Sequence, residues 1–504
     1  MITKNENIET LRPEIFATII SLTALIMAYS STVGFNYKNQ HLLNSFFVSL
    51  FLIFFPVSVN IFFTNYKKNK WYLSKIFLLF LSFLILILIS LIDTLIEYKI
   101  VFIIYFFSVC FVFYSFANKN SYTKLKVWFI FFSIIFAVII TAAYYENYYL
   151  HPLIYEKIAT GSWAHRDNIY HASIAGMFKT YFYAGTGLDG FVYHYYHKIS
   201  HIIFGLISNL VQTNTLIFYS VNITVIFFPV FFLSFLFAIE ETNKIYNYSY
   251  SINKINIDDN FFCLLLLLTF AVPWPKYIAP ENYGYLQSQS YFFSLILFFI
   301  LIGLIFNFFN SKKNNILNKN YSYKKNDFLY LLIIIFLFFI TILTKVSFFY
   351  VLNIILIYLY LRLKLFKFLF FNLFFFSMLL INFILLKFWV IEFNATIYSK
   401  KPEVLDIMKS IFVREHSLIG EISFFYTTIL FILFKIFFLI NIKKFKISKS
   451  LKSLRTLDIE ILLILILALF IVNFEYFKGI QIYISYILIL SHYPLIKEVF
   501  FNKK

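Results

Sequence analysis

The chain has 504 residues, of which 61% are hydrophobic and 13% charged, and its mean hydropathy is +0.80. A soluble protein of this length cannot hide so much apolar surface in a core, because its own surface must still face water. The formal charge of +19 does not indicate nucleic-acid binding, because the lysines lie in short connections between apolar runs and form no continuous basic stripe. Composition therefore predicts a protein that crosses a membrane many times.

Many apolar segments approach the roughly 20 residues that a helix needs to cross a bilayer. We expect an all-α, polytopic transmembrane protein with about 14 spans and an outward loop of interfacial helices. The predicted spans lie near residues 15–31, 43–63, 73–92, 99–117, 128–144, 214–238, 260–275, 289–309, 327–344, 347–361, 368–391, 421–440, 457–473 and 480–492.

Lysine and arginine clusters orient these spans. Loops such as 66–70, 118–126 and 443–455 carry them, and with this number of crossings they all fall on one side, which the positive-inside rule assigns to the cytoplasm. Both termini are then cytoplasmic, and the long segment 145–214 faces outward. The run 200–214 is short and ends in polar residues, so we interpret it as an interfacial or re-entrant helix at the outer surface.

The scarce polar residues gather in the outward segment. Six of the nine histidines and five of the eleven glycines lie between residues 151 and 201. Ionisable groups at membrane depth are costly and are retained mainly where they act. We therefore divide the chain into N-terminal membrane helices, a central region that carries the candidate site, and C-terminal membrane helices, at 1–127, 128–240 and 241–504.

Two aspartates are candidate catalytic residues in this segment. Asp167 is flanked by Arg166 and followed one helical turn later by His171, so its carboxylate can be held ionised and oriented as a general base. The same aspartate also suits the N-cap of a helix, and the two roles are compatible. Asp189 lies among three glycines, where backbone amides can approach an anion, although a simple turn explains the glycines equally well.

Three further histidines, at positions 194, 197 and 201, fall within a narrow arc of one helix face. His194, His197 and His201 suit a divalent metal ion, which would need one more ligand, or contacts to a substrate phosphate. With the neighbouring tyrosines they also suit an interfacial belt. Two outer cations, Arg414 and Lys345, are candidates for binding a lipid phosphate, and snorkelling to the interface is the alternative for Lys345.

The segment "YYENYYLHPLIYEKIATGSWAHRDNIYHASIAG" with "YHYYHKISHIIFGLISNL" resembles the GT-C class of polytopic glycosyltransferases over about residues 130–240. That class has an acidic residue in its first long outer loop, followed by interfacial helices and the next span. The chain lacks the proline pair of the class and any Asp-x-Asp, and it has several spans before the loop. The run "TGLDG…YHYYHKISH" is also similar to bacterial multi-span proteins of the same general type.

The resemblance implies an inverting transfer from a polyprenyl-phosphate sugar to a glycan or lipid acceptor, on the outer face of a bacterial cytoplasmic membrane, in cell-surface glycan assembly. Asp167 would then take the acceptor proton. Arg166, the histidines and Lys345 or Arg414 would neutralise the leaving phosphate.

Two other functions remain open. A surface-polysaccharide polymerase or ligase also has many spans and large outer loops, and Arg166 and Arg414 on separate loops would suit it. A transporter or flippase would need ionisable residues along a pathway through the spans, or two related halves. The apolar runs hold few charges, and we find no internal repeat.

Overall fold

The structure is a computed structural model that describes residues 13–32, 40–66, 74–96, 100–117, 134–135, 138, 166–185, 198–245, 289–317, 325–345, 352–353, 356–357, 360–361, 365–385 and 490. Nearly all of these residues are helical, and none of them belongs to a β-strand. In chain order the helices are α1 (Pro13–Thr32), α2 (Gln40–Tyr66), α3 (Lys75–Ile96), α4 (Val101–Ala117), α5 (Arg166–Tyr181), α6 (Lys198–Leu210), α7 (Ile223–Ile245), α8 (Gln289–Leu317), α9 (Lys325–Thr344) and α10 (Leu369–Leu385).

Six helical segments in the described part of the chain are long and apolar enough to cross a membrane. Each has 18 to 27 residues: Pro13–Ser30, Gln40–Phe63, Lys75–Ile96, Thr215–Glu241, Gln289–Phe308 and Asp327–Thr344. They coincide with six predicted spans and confirm a helical integral membrane protein. Two shorter apolar helices, α4 and α10, coincide with two further predicted spans. The other predicted spans lie wholly or partly outside the described residues, so the total of about fourteen and the division at 127 and 240 stay predictions.

The described helices form two compact units. The first contains α1 to α6, α7 as far as Glu241 and α8 as far as Leu304, and the second contains the rest of α7 and of α8 with α9 and α10. In the second unit, Tyr330 on α9 donates a hydrogen bond to Asn307 on α8 over 2.9 Å. The ring of Tyr330 also stacks on Phe308 at 5.6 Å between centroids, which holds α9 against α8.

Within the first unit, α2 and α4 run in the same direction. Tyr105 on α4 donates a hydrogen bond to Asn44 on α2, and Ser108 donates to the backbone carbonyl of Phe47 over 2.9 Å. Both pairs are separated by 61 residues, so the two helices stay in register. Parallel packing of α2 and α4 agrees with spans that cross the membrane in alternating directions, because α3 lies between them in the chain.

Helices α3 and α7 also pack against each other, and they run in opposite directions. Lys75 at the start of α3 lies over the ring of Phe237 near the end of α7, 5.8 Å from its centroid. Two turns further along α3, Phe83 stacks on Phe227 near the start of α7, with 6.4 Å between the centroids. The sequence predicts that α3 begins on the cytoplasmic side and α7 on the outer side of the membrane. Their opposite directions agree with that prediction.

Helix α6 is buried within the first unit although it is too short to cross a bilayer. Its 13 residues rise only about 20 Å. Phe204 on α6 contacts Phe227 of α7 and Phe293 of α8, at 5.8 and 5.4 Å between ring centroids. Phe83 of α3 contacts the same two rings, so four aromatic side chains join four helices. The re-entrant interpretation of 200–214 accommodates this burial, and the position of α6 relative to a bilayer stays a prediction.

Candidate functional site

The candidate site lies where α5 and α6 pack side by side. His171 of α5 contacts His201 of α6, and one turn later Ala175 lies against Gly205. Both pairs are 30 residues apart, so the helices run parallel and in register. Since residues four apart share one face of a helix, the contacting rows continue through positions 167, 171 and 175 on α5 and 201 and 205 on α6.

A glycine brings the two helices this close. A Cβ atom added to Gly205 would lie 2.6 Å from the backbone oxygen of Ala175 and 3.5 Å from the backbone nitrogen of Lys179. Both atoms belong to the backbone of α5. No side chain fits between the helices at position 205, and the absence of one lets the histidines one turn earlier meet directly.

The two histidines face each other through their ring nitrogens. His171 Nδ1 and His201 Nε2 are 2.8 Å apart, and the rings are stacked with 5.0 Å between centroids. His201 is fully buried, whereas His171 is half-buried. A hydrogen bond between two such nitrogens needs one N–H donor and one lone pair. The pair can therefore carry one positive charge but not two without parting.

Arg166 and Asp167 are the first two residues of α5. A carboxylate in a first helical turn interacts favourably with the positive end of the helix dipole. Asp167 lies four residues before His171, so its position belongs to the row of α5 that meets α6. The side chains of Arg166 and Asp167 lie outside the described part of the structure.

A second polar cluster lies two turns beyond the histidine pair, around Lys179. Its Nζ donates a hydrogen bond to the carbonyl of Thr213 over 2.8 Å. Burial lowers the pKa of Lys179 below its usual 10.5, and the nearby negative charge of Asp93 raises it part of the way back. Asp93 in turn accepts hydrogen bonds from the backbone N–H of Ile100 over 2.9 Å and from Asn209 over 3.4 Å. This cluster ties the ends of α3, α5 and α6 together.

A third polar cluster joins α2 to the helical turns before α7. A short helical turn, Thr215–Ile217, and a π-helical turn, Phe218–Asn222, lead directly into α7. Asn222, which is fully buried, donates to Ser45 Oγ over 2.8 Å and to the carbonyl of His41 over 3.2 Å. π turns inside α-helices frequently occur at functional sites. The sequence analysis did not predict this cluster.

The structure brings together two of the sequence-predicted site residues, His171 and His201. Lys345 follows α9 in the second unit, and its backbone N–H donates to the carbonyl of Thr341 over 3.1 Å. Four other candidates lie outside the described residues: Asp189, His194, His197 and Arg414. Among the side chains that the structure describes, no three of the types His, Cys, Asp and Glu come together as a metal site.

Sequence reasoning did not single out Lys179 or Asn222. Lys179 shares a row with His171 at a spacing of eight residues, and that helical spacing was the available signal. Asn222 is a polar residue inside a predicted span, which was the corresponding signal there.

Six membrane-length helices and a polar site between two shorter helices define a helical integral membrane protein. Comparison of the chain with known protein families, curated proteins and solved structures finds no match.

Proposed function

We propose that the protein is an integral membrane glycosyltransferase that uses a polyprenyl-phosphate sugar at the extracytoplasmic face, in cell-surface glycan assembly. The cytoplasmic membrane of a bacterium would hold it, with both termini in the cytoplasm. The observation that supports this proposal is the contact between His171 and His201, on the row of α5 that also carries position 167. A carboxylate and two imidazoles on facing rows supply a base and a site for positive charge.

In the proposed reaction Asp167 takes the proton of an acceptor hydroxyl while the hydroxyl oxygen attacks the anomeric carbon of the donor sugar. The bond between that carbon and the phosphate oxygen breaks, and the lipid phosphate leaves with the electron pair. A singly protonated pair of His171 and His201 offsets the negative charge that develops on the leaving phosphate. The lipid chain of the donor can lie among the apolar helices while its phosphate reaches the polar site.

The test is the variant Asp167→Asn, which keeps the size of the side chain and removes the base. We expect incorporation of sugar into the surface glycan to fall by about 100-fold or more, while insertion into the membrane stays normal. Asp259→Asn makes the same chemical change in a predicted cytoplasmic loop, and it should leave incorporation unchanged. Normal glycan in the Asp167→Asn strain would contradict the proposed role. Labelling of a cysteine at position 167 only from the cytoplasmic side would contradict the proposed face.

A further inference from the structure

We infer that a water-filled cavity enters the membrane from the outer side along the exposed face of α5 and reaches the pair of His171 and His201. The cavity admits water and small hydrophilic solutes to about half the depth of the bilayer. This inference does not rest on the glycosyltransferase reaction, because access of a solute can be measured without donor or acceptor.

The first argument is the depth of α6, which can be read against α3. Helix α3 has 22 residues, so it is about 33 Å long, close to the thickness of the hydrocarbon core. Asn209 of α6 donates a hydrogen bond to Asp93, near the outer end of α3, over 3.4 Å. Deeper in the unit, Phe204 of α6 and Phe83 of α3 contact the same ring, that of Phe293. Helix α6 therefore runs beside α3 in the same direction.

This alignment fixes the level of the histidine pair. His201 lies eight residues before Asn209, which is about 12 Å further from the outer end of α3. Asp93 lies three residues before that end, which adds about 4 Å. The pair therefore lies close to the middle of α3. His171 shares this level because it contacts His201 directly.

The second argument is the polarity of the exposed face of α5, the least apolar of the helices α1 to α10. Tyr170, Ser173 and Thr180 are all exposed, and their positions fall within an arc of about 80° around the helix. Along the whole of α3, by contrast, the exposed side chains are apolar, as contact with lipid requires: Leu88, Ile92, Leu95 and Ile96.

A polar helix face at this depth needs water or protein beside it, because lipid cannot hydrogen-bond to it. Since Ser173 is exposed rather than covered by protein, water is the remaining neighbour. The histidine pair borders this face. The ring of His171 lies edge-to-face with that of Tyr170, with 5.5 Å between centroids, and His171 is half-buried.

The experiment measures how fast a charged thiol reagent modifies a cysteine at position 173. In the full-length chain the two natural cysteines are first replaced, by Cys110→Ala and Cys263→Ala, and Ser173→Cys is then added. The hydroxyl of Ser173 bonds only to the carbonyl of Tyr170 in its own helix, so this exchange disturbs no contact between helices. A cationic methanethiosulfonate that does not cross membranes is added to right-side-out membrane vesicles.

The matched control is Leu88→Cys on the exposed face of α3. Leu88 lies about 8 Å deeper than Asp93, and Ser173 about 9 Å deeper, so the two thiols share one depth. We expect Ser173→Cys to react at least about tenfold faster than Leu88→Cys, because the reaction needs a thiolate and a charged reagent, both of which lipid disfavours. Thr180→Cys, nearer the outer end of the same face, should also react. Circular dichroism confirms that each variant is folded, and Leu88→Cys should react once detergent unfolds it.

Equal rates for Ser173→Cys and Leu88→Cys would overturn the cavity. If Thr180→Cys alone reacts, water stops short of the histidine pair, and modification of Ser173→Cys only in inside-out vesicles would place the opening on the wrong side. The proposed enzyme is tested separately. Fast modification of Ser173→Cys together with normal glycan after Asp167→Asn would retain the cavity and reject the reaction. Slow modification together with loss of glycan after Asp167→Asn would do the reverse.

Discussion

Gly205→Ala tests the packing that brings the two histidines together. The added Cβ would lie 2.6 Å from the backbone oxygen of Ala175, whereas ordinary van der Waals contact begins at 3.4 Å. The added Cβ also meets the backbone nitrogen of Lys179. Because both contacts are with backbone atoms, no change of side-chain rotamer relieves them. We expect α6 to move away from α5 by about 0.8 Å, which forfeits part of the dispersion attraction along the whole interface.

The free energy of unfolding should fall by about 3 kcal/mol. Inserting a methyl group into a tightly packed contact costs about 1–3 kcal/mol, and a backbone clash belongs at the upper end of that range. Stretching the hydrogen bond between His171 and His201 adds about 1 kcal/mol. The higher helix propensity of alanine offsets up to about 1 kcal/mol of this loss of stability.

Gly176→Ala is the matched control, because it makes the same substitution within α5 and meets a side chain. Its Cβ would lie 3.1 Å from Thr215 Oγ1, which can rotate away. We expect a change within about 0.5 kcal/mol, since propensity and contact offset each other. Reversible unfolding by sodium dodecyl sulfate in mixed micelles, followed by circular dichroism, measures both variants. Equal unfolding midpoints for Gly205→Ala and Gly176→Ala would refute the close backbone contact.

Two further variants test the polar clusters by the same unfolding measurement. Asn222→Ala removes the hydrogen bonds to Ser45 and to the carbonyl of His41. It should lower the free energy of unfolding by about 1–3 kcal/mol, because the partners of Asn222 stay buried. The control is Ser30→Ala on α1, which should lower it far less because that hydroxyl is exposed and bonds only within its own helix. Lys179→Met tests the lowered lysine pKa: in the folded chain Lys179 loses its proton below the usual 10.5, so the unaltered protein should gain stability as the pH rises from the folded pKa towards 10.5. Lys179→Met should lack that rise in the free energy of unfolding. If the variant and the unaltered protein show the same dependence of stability on pH, Lys179 does not titrate in this way.

Hydropathy alone located the spans that the structure describes, because membrane length and apolar composition are properties of a single segment. The row shared by Asp167 and His171 was also accessible from the sequence, since a helix has a fixed period. The meeting of His171 with His201 was not accessible, because it depends on the parallel register of two different helices. Lys179 was overlooked for the same reason, since its partners Thr213 and Asp93 come from other parts of the chain.

The register of α5 and α6 has a local physical cause. Of the described positions on the row of α6 that faces α5, only Gly205 lacks a side chain, whereas His201 and Asn209 flank it one turn away on each side. If α6 slid by one turn, a histidine or an asparagine side chain would have to occupy the space where a Cβ atom already comes within 2.6 Å of the backbone of Ala175. The backbone contact at Gly205 therefore permits one alignment of the two rows, and in that alignment His201 faces His171. The chemistry proposed for the histidine pair thus depends on a glycine that carries no functional group.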